Sequence, residues 1–303
     1  MFSIIKDNPR IIAQLARVSA EAAINKIKPA PRSRAVALLA TYNEERFIRS
    51  CIENLINQRV NVYLIDNCST DRTVEIAREY SGRGLIGIEH FPREDGVYHW
   101  QAILRRKEEL ASTLDADWFI HVDADEIHLP PRPGQTLAAA FAAAEHQGYN
   151  AVDYDEFVFI PTREHPDHDH PNYMKTMRWY YPLASKSGPR LIRAWKRQKV
   201  PVRLSETGGH RPDFPGMRLY PLKFRLKHYL FLSPEHLLEK YAGRTYDREE
   251  LERGWHGWRA KIRKADIDLP SQNVLKPFIT DGLLDPSNPR RRHIAARWTV
   301  KRE

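Results

Sequence analysis

Short apolar runs recur through residues 34–150, and each leads into a polar cluster and then into a segment whose apolar positions repeat at helical spacing. Ala35 to Ala40, Val62 to Ile65, Leu85 to Glu89 and Trp118 to Val122 predict four strands. Glu44 to Asn57 puts Phe47, Ile48, Cys51, Leu55 and Ile56 on one helical face. Asp71 to Tyr80 predicts a second helix, with Ser69 or Thr70 as its N-cap, and residues 98–114 a third. The alanine-rich run Leu137 to His146 predicts a fourth. Strands alternating with helices imply an α/β fold with a doubly wound, mostly parallel sheet, whose ligands bind beyond the carboxyl ends of its strands.

The pattern changes after residue 150. Ala151 to Ile160 predicts a strand, followed by the histidine-rich loop Thr162 to Pro171 and an aromatic cluster at Trp179, Tyr180 and Tyr181. Arg190 to Trp195 predicts another strand, and residues 201–222, rich in Pro and Gly, an irregular stretch. Ser233 with Pro234 behind it starts a helix reaching about Tyr241. This C-terminal half is expected to be mixed rather than doubly wound. At the front, Ile4, Ile5, Ile11, Ile12, Leu15 and Val18 mingle with Lys6, Arg10, Arg17, Lys26 and Lys28. A basic amphipathic helix there is expected to pack on the domain, with peripheral membrane contact as the second reading. Pro29, Pro31 and Arg32 to Arg34 read as a linker, and the tail carries the basic run Arg290 to His293. The chain thus divides into an N-terminal extension (1–33), a central domain (34–245) and a basic C-terminal extension (246–303).

Composition narrows the picture. The 303 residues carry a formal net charge of +9, which favours an anionic partner. The only cysteines, Cys51 and Cys68, form no zinc spacing or disulfide framework, so the reducing cytoplasm is the expected compartment. No apolar run is long enough for a membrane span, and the start has no secretory h-region.

Three polar clusters follow predicted strands: Thr41-Tyr-Asn-Glu-Glu45, Asp66-Asn-Cys-Ser-Thr-Asp71 and Asp123-Ala-Asp-Glu126. A parallel sheet brings such tips to one edge. Asp123 and Asp125, two apart in extended chain, can face one site, and paired hard oxygens suit Mg²⁺ or Mn²⁺ bound to a diphosphate. An EF-hand loop is excluded because its Asp-x-Asp-x-Asp-Gly pattern is missing.

In order and spacing, these three motifs resemble the family 2 glycosyltransferases of GT-A fold over about residues 34–240. The resemblance implies metal-dependent, inverting transfer from a nucleotide-diphosphate sugar, most often a UDP-sugar, to a hydroxyl of a glycan or lipid-linked acceptor. It implies nucleoside contacts at Thr41, Asn43 and Glu44, a base contact at Asp66 with Ser69 nearby, ribose or metal at Asp123, and metal at Asp125 and His228. The family's Glu-Asp after a Gly-Gly turn is missing from Ser205-Glu-Thr-Gly-Gly-His210, which leaves Glu156, Glu206 and Asp169, in that order, as candidates for the base. His210 is a candidate for the diphosphate, as are Arg105, Arg106, Arg190 and Arg193. The loop around His168 and His170 is expected to serve the acceptor or a lid, and the aromatic cluster either a sugar platform or the core.

Competing readings fare less well. A sugar nucleotidyltransferase needs a glycine- and Lys/Arg-rich phosphate loop after its first strand, where this chain has Thr-Tyr-Asn-Glu. An Asp-x-Asp phosphatase wants Thr or Val where Ile127 stands. A nucleic-acid binder would repel phosphate at an acidic ligand edge, so no nucleic-acid partner is expected.

Overall fold

The computed structural model describes residues 8–27, 33–185, 188 and 191–299. The linker residues Pro29, Pro31 and Arg32, the front residues Ile4, Ile5, Lys6 and Lys28, and Arg190 lie outside these. In chain order the elements are α1 (Pro9–Ile27), β1 (Ala35–Thr41), α2 (Ile48–Asn57), β2 (Val60–Asp66), α3 (Thr73–Arg78), β3 (Leu85–His90), β4 (Val97–Tyr98) and α4 (Trp100–Thr113). Then come β5 (Trp118–Asp123), β6 (Glu126–Leu129), α5 (Leu137–His146), β7 (Ala151–Phe159), α6 (Tyr173–Thr176), β8 (Trp179–Leu183) and β9 (Ile192–Lys196). The last are β10 (Phe224–Tyr229), α7 (Pro234–Tyr241), β11 (Thr245–Tyr246), α8 (Arg248–Glu252) and β12 (Lys276–Pro277).

The main sheet runs β12-β8-β7-β9-β5-β1-β2-β3, with β10 against β7 and β6. From β3 to β5 every pairing is parallel; β9 and β8 pair antiparallel, and β10 runs parallel to β7. Alternation along the strands explains the layers. Ala35, Ala37 and Leu39 of β1, with Trp118, Ile120 and Val122 of β5, pack against Ile48, Cys51, Ile52 and Leu55 of α2 and Phe141 of α5. Val36, Leu38 and Phe119 point to the opposite face, where Leu104 and Leu110 of α4 cover them. Both faces of the central strands are therefore apolar, which is why they read as unbroken hydrophobic runs. A third cluster joins β7 and β8 to the C-terminal region through Val158, Tyr181, Trp258, Ile262, Leu275 and Ile294.

The predicted elements are present with shifted ends. The first predicted helix starts at Ile48 rather than Glu44, because Glu44 to Phe47 form a turn in which Phe47 and Ile48 N–H both reach the Glu44 carbonyl. The second starts at Thr73, and Asp71 rather than Ser69 or Thr70 accepts its first N–H. Strands β4, β6, β8, β10, β11 and β12 were not predicted. Residues 246–299, expected as an extension, add β12 to the edge of β8 and contribute to the third cluster.

Helix α1 packs on the domain at two glycines. A Cβ on Gly134 would sit 2.3 Å from the Ala22 carbonyl oxygen, and one on Gly282 would sit 2.4 Å from Val18 Cγ1. Asn25 also donates to the Pro133 carbonyl at 2.7 Å. Among the described residues no helix is long and apolar enough to cross a membrane.

Candidate functional site

Register alone aligns three of the polar clusters. Ala40 pairs with Asp123, and Thr41 with Asp66, so the tips of β1, β2 and β5 end at one level. The chain turns at Ala124-Asp125 and returns as β6, whose Glu126 pairs with His228 of β10. The Tyr229 N–H donates to the Asp125 carbonyl at 2.8 Å, which fixes the acidic turn beside His228.

A cavity of about 400 Å³ opens above this edge, and Thr41, Glu44, Asp123, Asp125, Glu156, His210 and His228 all line it. Asn43, Asp66 and Ser69 are outside the lining and form the ledge beside it. The Asn43 N–H donates to Ser69 Oγ at 3.0 Å, Asn43 Oδ1 accepts from the Thr70 N–H at 2.7 Å, and Asp66 accepts from the Ser69 N–H at 3.2 Å. Asn43 adopts φ 55°, a left-handed conformation that asparagine tolerates better than most residues.

Asp125 is buried, and its Oδ2 meets Lys240 Nζ at 2.8 Å and His228 Nε2 at 3.4 Å. Burial disfavours its charge, but Lys240 and His228 outweigh that and hold the carboxyl well below its usual range. Burial likewise works against protonated His228, yet Asp125 and Glu156 raise its pKa to about 10, so it is an imidazolium at neutral pH. Glu156 accepts from His228 Nδ1 at 2.8 Å. Lys240 also reaches Glu44 at 3.3 Å, and burial lifts Glu44 to about 7 despite that partner.

Arg193 anchors the other acids. It contacts Glu126 at 2.5 Å and Asp123 at 3.2 Å. The two acids respond oppositely. Burial opposes Glu126's charge, but Arg193 prevails and its pKa falls. Asp123 rises, through burial and then through repulsion from Glu126, although 34% of its side chain is open. Arg193 thus serves Glu126 first. Behind them, burial lowers Lys107 to about 7, and its Nζ meets His121 Nδ1 at 2.8 Å and the Val122 carbonyl at 3.1 Å.

Two candidates for the base do not reach the cavity. Glu206 is exposed and sits 3.9 Å from Arg203. Asp169 is held by Arg46 at 2.8 Å and does not line the cavity. Both fall on loops whose direction no periodic pattern encodes. The histidine loop is tied down by Thr176 Oγ1, 2.9 Å from His168 Nδ1 and 3.1 Å from His170 Nε2. Tyr180 and Tyr181 are core residues, Tyr180 packing on Phe157 and Phe159. Arg106 is spent on Glu89 and Glu109; neither Arg105 nor Arg106 lines the cavity, whereas Arg193 does.

Sequence reasoning missed the cavity's other lining residues. Tyr98, Trp100, Lys240, Arg244, Trp255 and Arg259 come from β4, α4, α7, the turn between α7 and β11, and the segment after α8. The run Val97-Tyr-His-Trp100 was a usable signal, being aromatic ahead of a charged helix. Gly209, at φ 82°, lets the chain pass Trp100 and His121; a Cβ there would lie 3.0 Å from His121 Nε2.

The residues present do not fit a divalent ion in this arrangement. Both cationic partners of Asp125 contact the same oxygen, Oδ2, and the two ring nitrogens of His228 are already engaged, Nε2 with Asp125 and Nδ1 with Glu156. Among the described residues no three or more His, Cys, Asp or Glu side chains are grouped to hold one.

A doubly wound sheet with an acid-lined cavity at its carboxyl edge is an α/β protein with its ligand crevice where such sheets place it. Residues 37–196, more than half the chain, match the profile described as glycosyl transferase family 2. The chain belongs to that family, and its fold is the GT-A arrangement expected from the motifs, a parallel half joined to a mixed half. Among solved structures it is similar to Staphylococcus aureus TarS residues 1–349 in complex with UDP, at 14% identity and TM-score 0.39, covering 68% of this chain and 62% of that one. It is also similar to Mycobacterium tuberculosis glucosyl-3-phosphoglycerate synthase with Mn²⁺, UDP and glucosyl-3-phosphoglycerate, at 18% identity and TM-score 0.27, covering 45% and 47%. The chain spans less than two thirds of the length of each. These likenesses are distant, and the fold assignment rests on the strand order and the family match. No curated protein matches the sequence.

Proposed function

We propose that the chain transfers a sugar from a nucleotide-diphosphate sugar, UDP-sugar first, to an acceptor hydroxyl with inversion at the anomeric carbon. The observation that carries this reading is the convergence of Thr41, Glu44, Asp123 and Asp125, from different strand tips, on one cavity that also holds Glu156. Nucleoside contacts fall to Thr41 and Glu44, with the Asn43, Asp66 and Ser69 ledge beside them. Glu156 is the proposed base: it is the candidate carboxylate in the cavity, and His228 holds one of its oxygens at 2.8 Å. Inversion needs one such base within hydrogen-bond reach of the acceptor hydroxyl. The proposed acceptor is a glycan or a lipid-linked acceptor. The divalent ion expected from the resemblance has no step here, because its expected ligands are engaged within the chain: Asp125 with Lys240 and His228, His228 also with Glu156, and Asp123 with Arg193.

The test is a donor screen with Glu156→Gln alongside the parent chain. The variant is expected to bind UDP with unchanged affinity and to lose sugar transfer by about 100-fold or more. Unaltered turnover removes Glu156 as the base, and failure of every nucleotide sugar to be turned over removes the reading.

A further inference from the structure

Every carboxylate that lines the cavity already has a cation of the chain as partner. Asp125 has Lys240 and His228, Glu44 has Lys240, Asp123 has Arg193, and Glu156 has His228. A hard divalent ion needs several oxygens at about 2.0–2.2 Å. Asp125 Oδ2 is the natural first donor, and Lys240 Nζ stands 2.8 Å from it. Lys240 is held there: its side chain is 6% exposed, its Nζ lies 4.7 Å from the centre of the Phe47 ring, and its helix is capped by Ser233. An ammonium fixed on that oxygen supplies positive charge where an ion would.

Two further cations line the same cavity without an ion pair among the described residues. Arg244 lies over the rings of Tyr42 and Tyr98, at 5.3 and 5.1 Å, and its buried Nε has no hydrogen-bond partner among the described residues. Arg259 lies over Tyr241 and Trp258, at 5.4 and 5.2 Å. A guanidinium positioned by ring faces can turn N–H groups to phosphate oxygens; Arg244 keeps its Nε unpartnered among the described residues, whereas Arg259 also bonds the Tyr241 side chain.

We propose that side-chain cations alone hold the donor's diphosphate: Lys240 takes the place of the divalent ion beside Asp125, and Arg244 and Arg259 grip the phosphate oxygens. This rests on the nucleotide-sugar reading above and makes donor binding independent of metal.

The experiment is calorimetric titration of UDP, with GDP and CDP in parallel, into the full chain after EDTA treatment and again with added Mn²⁺. A nucleoside diphosphate is expected to bind in EDTA with a Kd within about threefold of its value in Mn²⁺. Arg244→Gln is expected to weaken binding in EDTA by about tenfold or more. Lys240→Gln leaves His228 as the remaining cation on Asp125, so binding in EDTA falls and Mn²⁺ restores part of it. If that variant does not fold, the parent chain still decides the matter. Binding that appears only with Mn²⁺ overturns the proposal and leaves the glycosyltransferase reading standing. No binding of any of the three nucleotides under either condition removes the donor reading, and the proposal with it.

Discussion

Arg193→Met isolates the charge system beneath the acidic turn. Methionine keeps most of the length and apolar contact of arginine and removes the guanidinium. Glu126, 1% exposed, would then keep the Asp123 N–H at 3.2 Å and His128 Nε2 at 3.3 Å, but lose its contact at 2.5 Å to a full positive charge. Removing one partner of a buried ion pair costs about 3–5 kcal/mol, because the other charge stays desolvated and uncompensated. The half-open Asp123 adds little, since cavity water screens it. Against a total stability of about 5–15 kcal/mol for a folded domain, this is a large loss.

The assay is urea unfolding of four proteins: the parent, Arg193→Met, Glu126→Leu and the double variant. Replacing both members with apolar groups of similar volume removes the unpaired charge, so the double variant is expected within about 2 kcal/mol of the parent. The two singles together should then exceed the double by about 3 kcal/mol or more. If Arg193→Met costs less than about 1 kcal/mol, or the double variant costs the sum of the singles, the reasoning about this pair is refuted.

Three other outcomes are expected. Gly209→Ala should destabilise the fold by about 1–3 kcal/mol, from the left-handed φ and the crowding at His121, Leu104 and Trp100; thermal unfolding unchanged within error would contradict it. His228, raised from an ordinary 6.5 to about 10, stabilises the folded state fully below pH 6.5 and loses that contribution as pH rises through 10. Lys107, lowered from 10.5 to about 7, works in the opposite sense, adding stability as pH rises from 7 to 10.5, so the reading must be a difference. The stability gap between the parent and His228→Gln should narrow between pH 6.5 and 10, and a gap that does not change with pH would count against the imidazolium. Asp66→Asn should leave the Ser69 N–H bonded and the fold intact but weaken UDP binding about 3–10-fold, as calorimetry would report.

The fold was legible wherever a strand is buried on both faces or a helix on one. The AVALLA run of β1 and the Phe47, Ile48, Cys51, Leu55 face of α2 state their environments in their own residues. Strands β6 and β10 did not, for the same physical reason that they matter. Glu126-Ile-His-Leu129 and Phe224-Arg-Leu-Lys-His-Tyr229 carry charged and titratable groups into the interior. Those groups are tolerable only because partners far away in sequence meet them: Glu126 is met by Arg193, and His228 by Asp125 and Glu156. A local pattern of polar residues cannot report a partner 67 positions away.

The same limit governs the site. The acidic edge was readable because strand alternation and parallel order place Thr41, Asp66 and Asp123 at one level before any side-chain contact is known. The cationic wall was not readable, since Lys240 sits near the end of an ordinary amphipathic helix and reaches Asp125 across 115 positions. A carboxylate pair at a strand tip therefore says that positive charge must arrive, but leaves open whether an ion or the chain delivers it. The two solutions differ in what they demand of the rest of the sequence. An ion requires further oxygen or neutral imidazole donors left free around the pair. A resident ammonium requires burial, a ring face and a second acid, and Lys240 has all three in its low exposure, Phe47 and Glu44. Because the second set is the one this chain supplies at Asp125, that residue is better understood as the seat of Lys240 than as a donor waiting for a metal.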